Sequence, residues 1–391
     1  MLSRWIKNAA LVIASVLMAA ASVELAARVY IHFHPQPPNN LYDFRVRQPL
    51  PYRGAPYFSR EFIDESFAEP GGWITTPGTR LVLPGDFHGR WFNVEGGRRR
   101  TTDQPPAYRK RLLMFGGSTV YAAEVPDAYT IPSCLQRLLN ARAPGAWRVE
   151  NLGSITVNVA QQLELLKTVP VRTGDVVLFY DGVNDIVQGV FNGNPEGWIV
   201  GNNRAQLQAS GAVKELLIRW NVKLLAAKAQ NYSYFLKYAV GNAMNRGNCE
   251  VKGFLRDPMR VEALAYRTAE LFAAELREAR TYTEAKGGKF IHALQPNLYA
   301  QTARSDYEQE ILRDCYINPV GLDMAFAAGY PLLRRLPDTG IDLTEILWRR
   351  SSGEEYYLDY CHVNHAANDR IAKALMIAVD HLRPPETGAQ P

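Results

Sequence analysis

Cysteine is scarce in this chain, long runs of one charge sign are missing, and no segment repeats. The four cysteines, Cys134, Cys249, Cys315 and Cys361, contain no CxxC spacing, which removes the usual zinc signal. In an oxidising compartment they admit three full disulfide pairings, and their spacing selects none. A net charge of +5 is modest for 391 residues, and no long basic stretch rich in aromatics occurs, so nucleic acid is not a default partner. The densest basic clusters are Arg98, Arg99 and Arg100, then Arg109, Lys110 and Arg111. Both read as a solvated face or loop, with attraction to an acidic surface or polymer as the alternative.

Apolar residues, by contrast, make up 47% of the chain, ample for a core in one large domain or two modest ones. One uncharged run is long: residues 9–23, preceded by Arg4 and Lys7. As a helix it spans about 22 Å, short of a hydrocarbon core of ~30 Å. The apolar character continues through Leu25, Ala26 and Ala27 toward Val29, Tyr30, Ile31 and Phe33. Glu24 and Arg28 interrupt it at i and i+4 in the favourable acid-first order, so they can pair on one continuing helix. Residues 1–33 therefore read as a signal-anchor, while Ala19 and Ala21 also suit a cleavable signal peptide. Either way the positive flank stays cytoplasmic and the rest is exported. The expected location is a single pass in the inner membrane with the main domain on the periplasmic side, or secretion after cleavage.

Residues 34–40 are rich in proline and asparagine and read as a linker. Up to residue 108 the chain is rich in aromatics, glycine and proline, an irregular or β-rich extension of unreadable role. From Arg111 the pattern becomes strand, turn, helix. Residues 112–115 are an apolar run closed by Gly116 and Gly117, and residues 131–141 are helix-compatible. The unit recurs at 147–152 with 159–169, and a third run, 176–180, ends at Asp181 and Gly182. Val261, Leu264, Ala265, Thr268, Ala269, Phe272, Leu276 and Ala279 follow helical spacing, stopped by Gly287 and Gly288 before a strand at 290–294. Alternating strands and helices predict an α/β fold with a parallel sheet covered on both faces.

A long insertion at about 190–253 carries Leu216, Leu217, Trp220, Leu224 and Leu225, then Tyr232, Tyr234, Phe235 and Tyr238. It reads as amphipathic helices on the core, or as a lid or acyl-binding wall, since it follows a strand end where sites gather in open α/β sheets. Residues 366–382 form a closing helix and 384–391 a tail. The domains are thus 1–33, 34–108, 109–383 and the tail.

Ser118 directly follows an apolar strand and two glycines, so the turn presents it at the strand's C-terminal end with its N–H toward the crevice. A Gly-Gly-Ser triplet is common in loops, and its neighbours decide its meaning. A serine nucleophile needs a base, an acid that orients the base, and donors for the oxyanion of acyl transfer. Gly153 ends the second strand, where a residue without a side chain lets a backbone N–H approach substrate. Asn184 follows the third strand in Asp181-Gly182-Val183-Asn184-Asp185 and sets an amide at the same sheet edge. Asp359 and His362 stand three apart before the last helix, a spacing that lets the carboxylate reach one imidazole nitrogen while the other faces the serine.

In this order the four blocks resemble the SGNH hydrolase superfamily, also called GDSL lipases and esterases, from Arg111 to about Leu382. The resemblance implies a three-layer α/β/α sandwich, with Ser118 as nucleophile, His362 as general base and Asp359 as its orienting acid. It implies oxyanion donors at Ser118, Gly153 and Asn184. The first block departs from the family, whose usual Gly-Asp-Ser has Gly117 in place of the aspartate here. The function expected is a serine esterase that removes ester-linked acyl groups, from envelope or extracellular glycans or from lipids. The rivals are an O-acyltransferase using the same residues and a silent glycan-binding protein. No cofactor is expected and no metal: His362 and His365 with Asp359 are too few ligands and leave the serine block unexplained. His292 and His88 read as structural or hydrogen-bonded surface groups, and His32, His34 and His381 fall in flanking segments. Expected partners are the acylated substrate and the membrane; oligomeric state is not readable.

Overall fold

Glycine and proline end each apolar run of the sequence within a few residues, so the chain folds as short strands alternating with helices. The structure is a computed structural model that describes residues 2–33, 41–68, 73–75, 81–197, 233, 235, 249–315, 317–349 and 353–381. Helix α1 (Leu2–Phe33) contains the segment Ile6–Tyr30, whose mean hydropathy of 2.1 makes it long and apolar enough to cross a membrane. Arg28 Nε donates to Glu24 Oε1 at 2.8 Å, so the two interrupting charges pair on the continuing helix.

The extension folds as helices α2 (Leu41–Val46) and α3 (Arg60–Ser66), then strands β1 (Trp73–Thr75), β2 (Val82–Pro84), β3 (Phe87–His88), β4 (Asn93–Glu95) and β5 (Arg98–Arg99). Strand β6 (Lys110–Gly116) leads into helix α4 (Ser118–Tyr121) and then α5 (Ile131–Arg142). Strand β7 (Trp147–Gly153), helix α6 (Val159–Thr168) and strand β8 (Val176–Asp181) follow, then α7 (Val183–Ile186), which runs on as a π-helical turn, Val187–Phe191. The remaining elements are α8 (Pro258–Ala285), β9 (Lys289–Leu294), α9 (Asp306–Arg313), α10 (Leu322–Arg334), β10 (Ile341–Asp342) and α11 (His365–His381).

The main sheet has the order β10-β9-β8-β6-β7-β5-β4-β3. Its pairs from β10 to β7 are parallel, as strands joined by helical crossovers must be. The parallel sheet expected from the sequence is continued by antiparallel strands from the extension, through the pairing of β5 with β7. The physical reason is connection length: β4 and β5 are joined through Gly96 and Gly97 alone, far short of a crossover.

Strands β6 and β8 are buried almost throughout, the mark of a sheet covered on both sides. On one face Phe115, Phe179 and Leu113 pack with Leu163 of α6, Phe272 of α8 and Phe326 of α10. On the other, Leu112, Met114 and Leu178 pack with Leu135 of α5 and Ile371 and Leu375 of α11. Each such side chain contributes about 1.5–3 kcal/mol when fully buried, so the strand ends are fixed points from which the loops hang. A third cluster joins the extension to those loops: Tyr52, Phe62 and Phe92 pack with Ala122, Val125 and Leu358.

Cys249 and Cys315 form a disulfide, while Cys134 and Cys361 are free and buried. The basic clusters are not uniformly solvated. Arg99 is 1% exposed, its guanidinium donating to Asp127 Oδ1 and to the carbonyls of Tyr121, Ala122 and Val125. Arg111 is also buried, held by Asp175 at 2.6 Å. Burial is tolerated because both guanidinium groups meet acceptors, and those acceptors lie far off in sequence. The linker at 34–40, the tail at 384–391, and Leu216, Leu217, Trp220, Leu224, Leu225, Tyr232, Tyr234 and Tyr238 lie outside the described residues.

Candidate active site

The site is assembled at the C-terminal ends of β6, β7 and β8 and completed by the loop before α11. Strand β6 ends at Gly116, and Ser118 opens α4, half-buried and so reachable from solvent. As the first residue of a helix its N–H has no intrahelical acceptor and points out of the helix end.

Asp359 is held by its own loop. Its Oδ1 accepts from the backbone N–H groups of Cys361 at 2.9 Å and His362 at 2.7 Å, the turn a short acidic side chain makes with residues two and three further on. That leaves Oδ2 for His362 Nδ1, at 2.6 Å, and turns His362 Nε2 toward Ser118 Oγ, at 2.8 Å. The turn is closed by Leu358 N–H donating to His362 O at 2.8 Å. The structure thus brings Ser118, His362 and Asp359 into one hydrogen-bonded line.

Burial alone would raise the Asp359 carboxyl, but the charge and hydrogen bond of His362, and then Arg45, outweigh it and hold the group at about 2. Burial would likewise lower His362, yet the Asp359 carboxylate, with Glu124 adding to it, holds the imidazole well above its ordinary value. Asp359, Cys361 and His362 also place one ligand atom each within 4.8 Å of one another, as a metal would need. Asp359 and His362 are already each other's partners, however, and burial pushes the Cys361 thiol up to about 11, away from the thiolate a metal requires.

Gly116 and Gly153 are paired in register across β6 and β7, which sets Gly153 beside the turn that presents Ser118. A side chain at 153 would strike Tyr121 N at 2.4 Å, so glycine is what lets α4 close on this strand end. The single N–H of Gly153 is donated to Asn151 Oδ1 at 2.9 Å. Asn184 is half-buried in α7, with Nδ2 donating to Val157 O at 2.8 Å. An amide nitrogen carries two hydrogens, so one is left over. Asp185 steadies this segment by accepting Val159 N–H at 3.0 Å, across to the start of α6. A Cβ on residue 117 would lie 2.4 Å from Asn184 Nδ2. Gly117 therefore leaves room for that amide where Asn184 now lies.

Sequence reasoning missed Arg45, Glu124 and the part played by Arg99. Arg45 Nη2 lies 2.8 Å from Glu124 Oε1 and 3.8 Å from Asp359 Oδ2, with Arg45 and Glu124 both buried. Arg99 ties down the carbonyls of Tyr121, Ala122 and Val125, including the left-handed Ala122 (φ 55°) that ends α4. No local pattern marks these residues, since Arg45 and Glu124 stand 79 positions apart.

The other histidines lie elsewhere. His365 Nδ1 faces Tyr57 OH at 3.2 Å and joins no ligand cluster among the described residues. His292, expected to be a structural or a hydrogen-bonded surface group, is fully buried in β9 against Phe272, and neither ring nitrogen has a hydrogen-bond partner among the described residues. His88 is exposed on β3.

No family model matches the sequence, and no curated protein matches it. Solved structures similar to it include a lipolytic protein of the G-D-S-L family from Veillonella parvula, 12% identical with a TM-score of 0.32, the match covering 70% of this chain and 100% of that one. The acetyl xylan esterase AlAXEase is 12% identical with a TM-score of 0.34, covering 69% and 99%. The psychrotrophic esterase EstA from Pseudoalteromonas is 10% identical with a TM-score of 0.32, covering 70% and 99%.

Proposed function

We propose that this chain is a serine esterase that removes acyl groups through an acyl-enzyme, with Ser118 as nucleophile, His362 as general base and Asp359 as its orienting acid. The observation that carries the reading is the line Asp359 Oδ2, His362 Nδ1, His362 Nε2, Ser118 Oγ, with contacts of 2.6 and 2.8 Å. In the first step His362 Nε2 takes the Ser118 Oγ proton as Oγ bonds to the ester carbonyl carbon. The electron pair displaced onto the carbonyl oxygen is received by the Ser118 N–H and the spare hydrogen of Asn184 Nδ2. Gly153 N–H joins as a third donor when it exchanges Asn151 for the oxyanion. Collapse of the intermediate expels the alcohol, which takes the proton from His362, and water then repeats the cycle on the acyl-serine.

The substrate class proposed is ester-linked acyl groups on envelope or extracellular glycans, or on lipids near the bilayer. What supports it is α1, whose apolar length and basic flank favour an inner-membrane anchor with the rest of the chain exported. The test treats the full chain in detergent, beside Ser118→Ala, with a fluorophosphonate probe and short-chain nitrophenyl esters. Labelling and turnover should vanish together in the variant; a variant that hydrolyses at the wild-type rate ends the assignment.

A further inference from the structure

The extension is not attached to the sheet by packing alone; three of its polar side chains converge on the segment that follows the nucleophile helix. Arg99 grips the carbonyls of Tyr121, Ala122 and Val125, and Tyr52 OH donates to Glu124 O at 2.9 Å. Arg45 reaches furthest in. Its side chain is 4% exposed and that of Glu124 6%, with Nη2 and Oε1 at 2.8 Å. The same Nη2 lies 3.8 Å from Asp359 Oδ2, the oxygen that faces His362.

Burying an arginine and a glutamate removes both from water, and an apolar pair of the same size would often be as stable or more so. A buried charge pair set against the orienting carboxylate therefore has its value in the field it makes there. On the reading of Ser118, His362 and Asp359 as the catalytic line, on which this inference rests, we propose that Arg45 is a positioning residue. With Glu124 it fixes Asp359 against His362 and balances the charge behind the imidazole, so that the extension completes the site. Arg45 and Glu124 offset one another in net charge, and Asp359 is the carboxylate in direct contact with the ring.

The other titratable groups facing this couple include Cys361, Tyr52, Tyr57, Tyr121, Tyr299, Tyr307 and Tyr360. Burial pushes all of them upward, so they stay neutral through the working range. Arg45 and Glu124 are therefore the groups whose removal changes the charge. Loss of the cation leaves two carboxylates to stabilise the imidazolium; loss of Glu124 leaves a bare cation that repels it.

The test is the pH profile of kcat/KM for a nitrophenyl ester with the full chain in detergent. Arg45→Met should move the acid limb up by about one pH unit, because a like charge near the imidazole disfavours its protonated form. Glu124→Gln should move it down by a similar amount, and Arg45→Met with Glu124→Gln should return it near the wild-type position. A structural role alone would lower activity without displacing the limb in opposite directions. Should Arg45→Met fail to fold, Glu124→Gln and the charge-keeping Arg45→Lys decide: the first must shift the limb down and the second must leave it in place. Fluorophosphonate labelling separates the two levels. If Ser118 takes the label and the limb stays fixed in the folded variants, Arg45 has no such role; if wild-type Ser118 takes no label, the catalytic line itself fails and this inference with it.

Discussion

Replacing Gly117 by alanine puts a carbon 2.4 Å from Asn184 Nδ2, while the next atom in its way, apart from the rest of that amide, is Val157 O at an ordinary 3.6 Å. The backbone does not object, since Gly117 has φ −78°, which any residue adopts. What must give is the far end of one side chain. Asn184 then leaves Val157 O, a hydrogen bond of 2.8 Å contributing about 1 kcal/mol to stability. In a protein of this size that lowers the melting temperature by about 2–4 °C at most. The same retreat withdraws a donor from the oxyanion, and losing one such donor costs about 100- to 1000-fold in kcat, or ~2.7–4 kcal/mol. Gly117→Ala should therefore melt almost like wild type and turn over nitrophenyl esters about 100-fold more slowly. Gly117→Asp, which writes the commoner block of the resembled family, should be no better. The decisive control is a double-mutant cycle. If the harm at 117 acts through the amide, Gly117→Ala should have no further effect once Asn184→Ala has removed it. Full activity in Gly117→Ala, or additive losses in the pair, would refute the reasoning.

Two further predictions concern pH. His362 must lose its proton to act as a base, and its pKa is raised well above the ordinary value, chiefly by Asp359 against the opposing effect of burial. The acid limb of kcat/KM should accordingly lie above pH 6.5, and a profile already flat there would contradict the pairing. In the same window this couple's contribution to stability, fully present below pH 6.5, declines as pH rises through the folded value. His292 behaves oppositely. Burial, aided by Arg280, lowers it from 6.5 to about 3, so below pH 6.5 the unfolded chain takes up a proton that the native one refuses. Over that interval the acid loss of stability is of order 4–5 kcal/mol. His292→Leu should flatten the fall in melting temperature between pH 6.5 and 4, measured against wild type; an unchanged slope would show that another group governs it.

Much of the site was legible because its parts are local. A strand that ends in Gly116 and Gly117 delivers Ser118 within two residues. Asp359 and His362 need only a turn three residues long, in which one carboxylate oxygen is bound by the loop's own N–H groups and the other is left for the ring. Apolar runs likewise marked β6, β8 and β9, since burial on both faces of a sheet writes itself into the sequence, and helical spacing marked α8. Tertiary structure alone decided everything that depended on which distant groups meet. Ser118 and His362 stand 244 positions apart and touch only because parallel strands bring their C-terminal ends to one edge. Arg99 and Arg111 read as solvated because nothing near them in sequence offers an acceptor, yet folding supplies three carbonyls and a carboxylate to the first and Asp175 to the second. Gly117 looked like a defect in a motif until Asn184 filled the space beside it, and Arg45 looked like part of an unreadable extension until Glu124 and Asp359 closed around it. A sequence records each residue's own propensity and its near neighbours, whereas charge pairing and steric room are properties of pairs, and for distant pairs only the fold selects the partner.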